Sequence, residues 1–422
     1  MADWNTLRHT SPWGWPSDHP QWQCAFRPFF SASATVAAVF MAWWAGVLAG
    51  WWPAALAAGT VGATVWHAQA LLEAMGLAAV AGFLLTAVPE FTTTPAVPPR
   101  TTRRLVAAWA LGLSGSFVPG SGGQGLALAG WLALVGGLLA VLWPRLQRDA
   151  QRAHRSFAWA LLALGADVIG LHLALIGGRP AQPWLHGLLG LYMVLMVLAM
   201  SRISMRIVNA ALDERRASQR ARGMTPVDTV YLARPPRRQF ALVLIAAHTL
   251  AQALWPEQRA TGWLGLAASA AMLQLMGDWH VGRALLSRRP LMLYLVYAAM
   301  ALGYALWGAA VLAAAPAWAA AGRHVLAIGA FGVGMVAVFV IAGRTHAGLD
   351  ADERPWVPVA VVALLVAALA RAMPSHGHWL AAAALWVATF GAVLWWLAPA
   401  WLGERPDGER GCHERVGGTS GC

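Results

Sequence analysis

Apolar runs of membrane-crossing length follow one another along most of the chain, separated by short segments rich in arginine, proline and glycine. A helix that crosses a hydrocarbon core of ~30 Å needs roughly 20 apolar residues. Only helices or closed barrels can satisfy their backbone polar groups at that depth. The runs predict helices near residues 30–51, 63–88, 104–118, 124–143, 156–177, 184–207, 238–255, 261–281, 291–314, 320–343, 356–373 and 377–401. The second is placed from about Ala63, because a helix running back to Pro53 would measure about 54 Å, too long for an untilted span. The expected fold class is all-α, a polytopic membrane protein of about twelve transmembrane helices.

Arginine placement orients the helices. All 30 basic residues are arginine, and a cytoplasmic N-terminus puts 26 of them in inner segments. Only Arg179, Arg259, Arg323 and Arg371 fall outside. By the positive-inside rule this predicts that the N- and C-termini are both cytoplasmic. The net charge of +12 thus reads as topology, and no nucleic-acid partner is expected. Composition agrees: 59% of residues are hydrophobic and 11% charged, against about 25% charged in soluble domains.

The organisation expected is an interfacial N-terminal segment, 1–28, a membrane domain, 29–402, and a disordered Gly-rich tail, 403–422. Trp4, Trp13, Trp15 and Trp22 suit the first segment to the headgroup level. No cleavable signal is evident, since the first apolar run begins near Phe29 and is long enough to span. The membrane domain divides into halves 29–207 and 238–402, joined by a basic cytoplasmic loop, 208–237, that would lie against anionic lipid. Cys24, Cys412 and Cys422 are scattered and form no C-x-x-C, which points to neither a disulfide framework nor a thiolate metal site.

Thirteen histidines sort by depth. His9, His19, His154, His280, His346 and His413 fall in inner segments or at inner helix ends, and His376 and His378 in the last outer loop; solvent or headgroup contact accounts for them. His67, His172, His186, His248 and His324 lie within predicted helices, all in the outer half of the membrane, in a layer about 8 Å thick. An ionisable group inside a span needs a partner, and imidazole is the commonest metal ligand and a usual ligand of haem iron. Facing helices of a bundle build such sites in their core. Taken singly, each of these histidines reads rather as an interfacial group bonded to backbone or headgroups; their shared layer favours the site.

Their neighbours refine the picture. Ala70, Ala74, Ala78 and Ala81 continue the His67 face as a stripe that would admit a flat ring or close helix packing. Ile328 and Phe331 share a face with His324. Glu73 and Asp167 are the acids well inside spans; neither has the spacing to pair with the histidine on its own helix, so each is expected to bond across helices or relay protons. His186, Met193 and Met200 lie on one stripe, but seven residues of rise separate His186 from Met193, about 10.5 Å, so the methionines read as core filling.

Several segments resemble the NnrS family of bacterial membrane proteins. They are Phe26-Arg27-Pro28-Phe29-Phe30; Trp66-His67 with the closing Gly82-Phe83-Leu84-Leu85-Thr86-Ala87-Val88-Pro89; Ser201-Arg202-Ile203; Ser287-Arg288-Arg289-Pro290-Leu291; His324 through Ala330; and His346 with Gly348. His346 falls at the cytoplasmic end, where an anchoring role is expected. The chain departs from the family at Gln69 and Ala70, where a histidine and a glutamate are usual. The resemblance implies haem, leaves room for copper, and implies nitric oxide or a related small molecule as partner, in the inner membrane of a bacterium. It implies His67 and His324 as axial ligands of the metal, with His172 and His248 completing that site or a second one. Reduction, transfer and sensing of nitric oxide stay open. A twelve-helix secondary transporter is the competing class, which expects broken helices with polar groups near the midplane. A haem–copper oxidase core would need an adjacent His-His pair, which the sequence lacks.

Overall fold

The computed structural model describes residues 19–53, 61–149, 154–226 and 229–412. Trp4, Trp13, Trp15, His9, His413 and Cys422 lie outside the described residues. The long helices are α1 (Phe26–Leu48), α2 (Ala63–Phe91), α3 (Pro99–Gly115), α4 (Gly120–Arg148), α5 (Ser156–Ile176), α6 (Gln182–Ala221), α7 (Pro235–Leu254), α8 (Arg259–Met276), α9 (Arg288–Leu312), α10 (Pro316–Thr345), α11 (Trp356–Ala372) and α12 (His376–Leu402). Each predicted segment falls on one of them. Eight are long and apolar enough to cross a membrane, by length and composition, and α11 is apolar but shorter.

Two stretches expected to be irregular are ordered. α6 continues to Ala221, well into the basic segment after residue 207, where Arg216 pairs with Asp213 one turn back. Asn209 ties the chain's return, accepting from the backbone N–H of Tyr231 and donating to its carbonyl. The first ten residues of the expected tail, 403–412, also pack. There Arg405 is buried, donates to the carbonyl of His346 and pairs with Asp407.

α2, α6 and α10 form the interior: 89%, 72% and 78% of their apolar windows are buried, against 39–56% in the other five long apolar helices. Packing around them repeats every four helices. α1, α5 and α9 pack on α2, α6 and α10; α3, α7 and α11 pack on α4, α8 and α12; and α4, α8 and α12 pack on α5, α9 and α1, closing a ring. The pattern thus makes three repeats of four helices, with close packing across their junctions. Large apolar side chains such as Trp159, Val243, Val359 and Trp395 stand exposed on the outside, as lipid-facing groups do. Apolar side chains gain little from one another in lipid, so close approach of small residues holds helices together. On α8 and α9 a Cβ added to Gly308 would sit 2.6 Å from the carbonyl of Gly262.

The two ends of the chain meet at one end of the bundle. Arg27, fully buried, donates through Nη1 to the carbonyls of Pro20 and Gly403 at 3.1 and 2.6 Å. Cys24 and Cys412 are joined in a disulfide, a single pairing across 388 residues that the scattered cysteines did not suggest. His346 lies at the same end, its Nε2 3.4 Å from Glu90, in the anchoring position expected of it. Asp352 lies in the connection before α11. Burial opposes its charge, but hydrogen bonds from Arg354 and Trp356 and the charge of Arg344 outweigh that, and the carboxyl is held down to about 2.

Replacing Arg27 with Ala strands the carbonyls it binds. Charged hydrogen bonds are worth about 1.5–3 kcal/mol each, so thermal unfolding in detergent should show a loss of at least about 2 kcal/mol, whereas Arg259→Ala, at the exposed start of α8, should leave the midpoint unchanged. Because the Asp352 pKa is lowered on folding, its stabilisation is complete above the ordinary carboxylate range and lost as pH falls toward 2. Solvent screening limits this to about 1 kcal/mol. Asp352→Asn should remove that part of the acid sensitivity, measured as the difference in unfolding midpoint between pH ~5 and pH ~3.

Candidate functional site

Two of the three central helices contain a widened turn. In α2 the π-helical stretch is Ala70–Met75, and in α10 it is Val325–Gly332. Such turns add a residue to the winding and are frequent at functional sites. They also present carbonyls that no water can reach in a membrane interior. Around the α2 turn three neighbouring helices supply donors: Tyr192 of α6 to the carbonyl of Leu72, Trp109 of α3 to Ala74 at 2.8 Å, and Ser33 of α1 to Met75 at 2.8 Å. Gly76 makes room for the Tyr192 ring, since a Cβ there would lie 2.6 Å from its hydroxyl.

The turn aims Glu73 at α5. Its Oε1 lies 3.1 Å from His172 Nε2, and its Oε2 accepts from Gln69 Nε2 at 2.9 Å. Gln69 in turn lies 3.4 Å from Gln124 of α4. All four side chains are buried, Glu73 and His172 to within 1% of full burial. Glu73 thus bonds across helices, as its spacing requires. Asp167, one and a half turns before His172, rests against the backbone of Gly187 and lies within electrostatic range of Glu73.

The five deep histidines fall into three groups. His172 belongs to the carboxylate cluster. His67 and His324 are within electrostatic range of one another and of Arg371. Both are half-buried. Trp44 of α1 stacks on the His67 ring at 4.5 Å, and His324 Nδ1 lies 2.8 Å from its own-helix carbonyl of Ala320. His186 and His248 flank the Trp307 indole, at 5.5 and 4.8 Å between ring centres, with Arg323 over the other side of that indole's reach at 5.4 Å. Nε2 of His248 is buried with no hydrogen-bond partner, as are Oε1 of Gln252, the Tyr304 hydroxyl and Nε1 of Trp307 close by.

Other expectations resolve plainly. Ala70, Ala74, Ala78 and Ala81 are all buried in helix packing, so the stripe below His67 presents no open face for a ring. Phe331 stacks on Tyr192 at 4.8 Å instead of extending the His324 face, because the π-helical stretch rotates everything after His324 off a 3.6-residue register. Met193 and Met200 are fully buried core residues. No group of three or more His, Cys, Asp or Glu is arranged to hold an ion among the described residues. The sequence placed His186 only against Met193 on its own helix; the structure sets it beside the Trp307 indole that His248 of α7 also meets.

Glu73→Ala removes the hydrogen-bond partner that His172 Nε2 has among the described residues. Leaving a buried polar group unsatisfied costs about 1–3 kcal/mol, so the thermal midpoint in detergent should fall accordingly. Glu73→Gln keeps a side-chain hydrogen-bonding group in place and should recover most of the loss.

No curated protein matches the chain at a significant level. A family model described as NnrS protein matches residues 20–405, a range that contains all twelve helices and every residue of the three clusters. The chain therefore belongs to the NnrS family.

Proposed function

We propose that this protein is a multi-pass bacterial inner-membrane protein, crossing the bilayer twelve times with both ends in the cytoplasm, that binds haem between α2 and α10 and acts in the response to nitric oxide. The observation that carries the reading is the pairing of His67 with His324. They come from two different interior helices and lie within electrostatic range of one another, with one nitrogen of His324 already engaged by a carbonyl. Such a bond is what fixes ring and tautomer in metal-bound histidines. The donor set fits haem: two imidazoles for the iron, and Arg371 beside them for an acidic edge group. Haem held there would supply the capacity to bind nitric oxide. His67 and His324 position the group, Trp44 fixes the His67 ring plane, and Arg371 offsets negative charge.

His172 stands apart from this pair, in the carboxylate cluster, with Nε2 held by Glu73 and Nδ1 buried and free, the arrangement of a supported ligand. Copper falls instead to His186 and His248: imidazole suits copper, and the unpartnered His248 Nε2 is a free donor atom in a dry site. The orientation rests on the arginines. Arg323 and Arg371, two of the four in outer segments, sit at the two imidazole pairs, where a function rather than topology accounts for them. The transporter alternative draws less support, since the contacts repeat in fours and the polar clusters gather toward one side.

An absorption spectrum with iron and copper analysis of the detergent-purified protein tests the reading. Haem-replete cells should yield a Soret-absorbing protein, and a colourless, metal-free preparation would favour the transporter. Loss of a ligand's supporting partner alone costs about 10–100-fold in affinity. His67→Ala and His324→Ala should each lower haem content at least about tenfold, while His376→Ala, at the exposed start of α12, should not.

A further inference from the structure

Beyond the histidines, the three interior helices enclose an apolar chamber of about 60 Å³ between α2, α6 and α10, with Phe157 of α5 also on its border. Phe83, Met196 and Phe331 are among its walls, and none of the residues bordering it is exposed. One water needs about 10–15 Å³, so there is room for several. The walls give them nothing to hold. Tyr192 is the one bordering residue with a nitrogen or oxygen in its side chain. Its hydroxyl is engaged by the carbonyl of Leu72, and its ring stacks on Phe331 at 4.8 Å. A buried water needs two to four polar partners, and apolar cavities stay dry and take up guests such as xenon or benzene. Left empty, the chamber forfeits dispersion contacts along its walls, which a guest restores.

Charge gathers past one end of the chamber. Seven residues beyond Phe83, Ala199 and Phe339, on the same helix faces, come Glu90 of α2, Arg206 of α6 and His346 of α10. Glu90 lies 4.0 Å from Arg206 Nη1 and 3.4 Å from His346 Nε2. The three interior helices are thus tied together about 10.5 Å of helix rise past the apolar walls. A charged or strongly hydrated solute entering from that end meets its partners there, and further in would have to shed water with no partner in return. The enclosure and the small volume leave a small, uncharged guest.

We propose that this chamber is a binding site for a small apolar molecule of the diatomic-gas class, held by dispersion. Gly334 lets the flexible end of Met196 lie against α10, since a Cβ there would stand 2.5 Å from Met196 Cε. Nitric oxide is one molecule of this class. The walls of the chamber carry the assignment without the haem, so the two readings can fail separately.

Xenon, a small uncharged atom, is the probe. Crystals of the full-length protein pressurised with xenon should show an anomalous-scattering peak between Phe83, Met196 and Phe331. Gly334→Leu fills the chamber from α10 and Ala199→Leu from α6, and crystals of either folded variant should lose that peak while keeping any xenon bound elsewhere. Xenon found elsewhere in the wild-type crystals and not in the chamber would overturn the proposal. So would ordered water or a lipid chain filling it, or a peak that survives a leucine seen to occupy the space.

Discussion

A polar group held in hydrocarbon must find its partner inside the protein, and the widened turn of α2 is where this bundle meets that demand most fully. The turn turns Glu73 toward α5 and offers three carbonyls to its surroundings; Ser33, Trp109 and Tyr192 answer from three different helices. α1, α3, α5 and α6 are thereby fastened to α2 by directional bonds, in an interior where apolar burial between helices supplies little. The Glu73–His172 contact completes the set and fixes α5 in rotation. The same turn shapes the region around His67, which sits just before it. A regular helix here would carry Glu73 off the α5 face and leave His172 unmatched.

The four-helix repeat gives this arrangement its frame. α2, α6 and α10 are equivalent positions in the three units, and each carries a histidine in its opening turns: His67, His186 and His324. The ring closes where α12 returns to α1, and there Arg27, Gly403, Cys24 and Cys412 join the chain's two ends. The Phe-Arg-Pro-Phe-Phe segment is thus more than an anchor at a helix start. Its arginine binds the end of α12, and Phe30 packs on Phe339 of α10 and Trp401 of α12.

Much of the fold is legible in the sequence because membrane helices are written in a simple code of length and apolarity. Every predicted segment found its helix, and the family resemblance carried by the segments around His67 and His324 is matched across residues 20–405. What could not be read depends on departures from the regular helix and on contacts between distant segments. The faces drawn below His67 and His324 assumed 3.6 residues per turn, and both pass through π-helical stretches. A layer of five imidazoles was visible, but not its division into three groups, since rotation of each helix about its axis is set by packing. Asp167 and Glu73 were recognisable as groups needing cross-helix partners; which partner Glu73 takes was not. The disulfide was hidden by 388 residues of intervening chain, and the order of 403–412 by a composition rich in glycine and charge.

The central claim is that His67 and His324 converge as a pair on one prosthetic group. Magnetic circular dichroism of the purified protein in its oxidised form, through the near-infrared, reports the axial ligands of haem iron directly. The account predicts the charge-transfer signature of two histidine ligands, lost when either His67 or His324 is replaced. A signature of one histidine with methionine or thiolate, or a two-histidine signature untouched by both replacements, would contradict it.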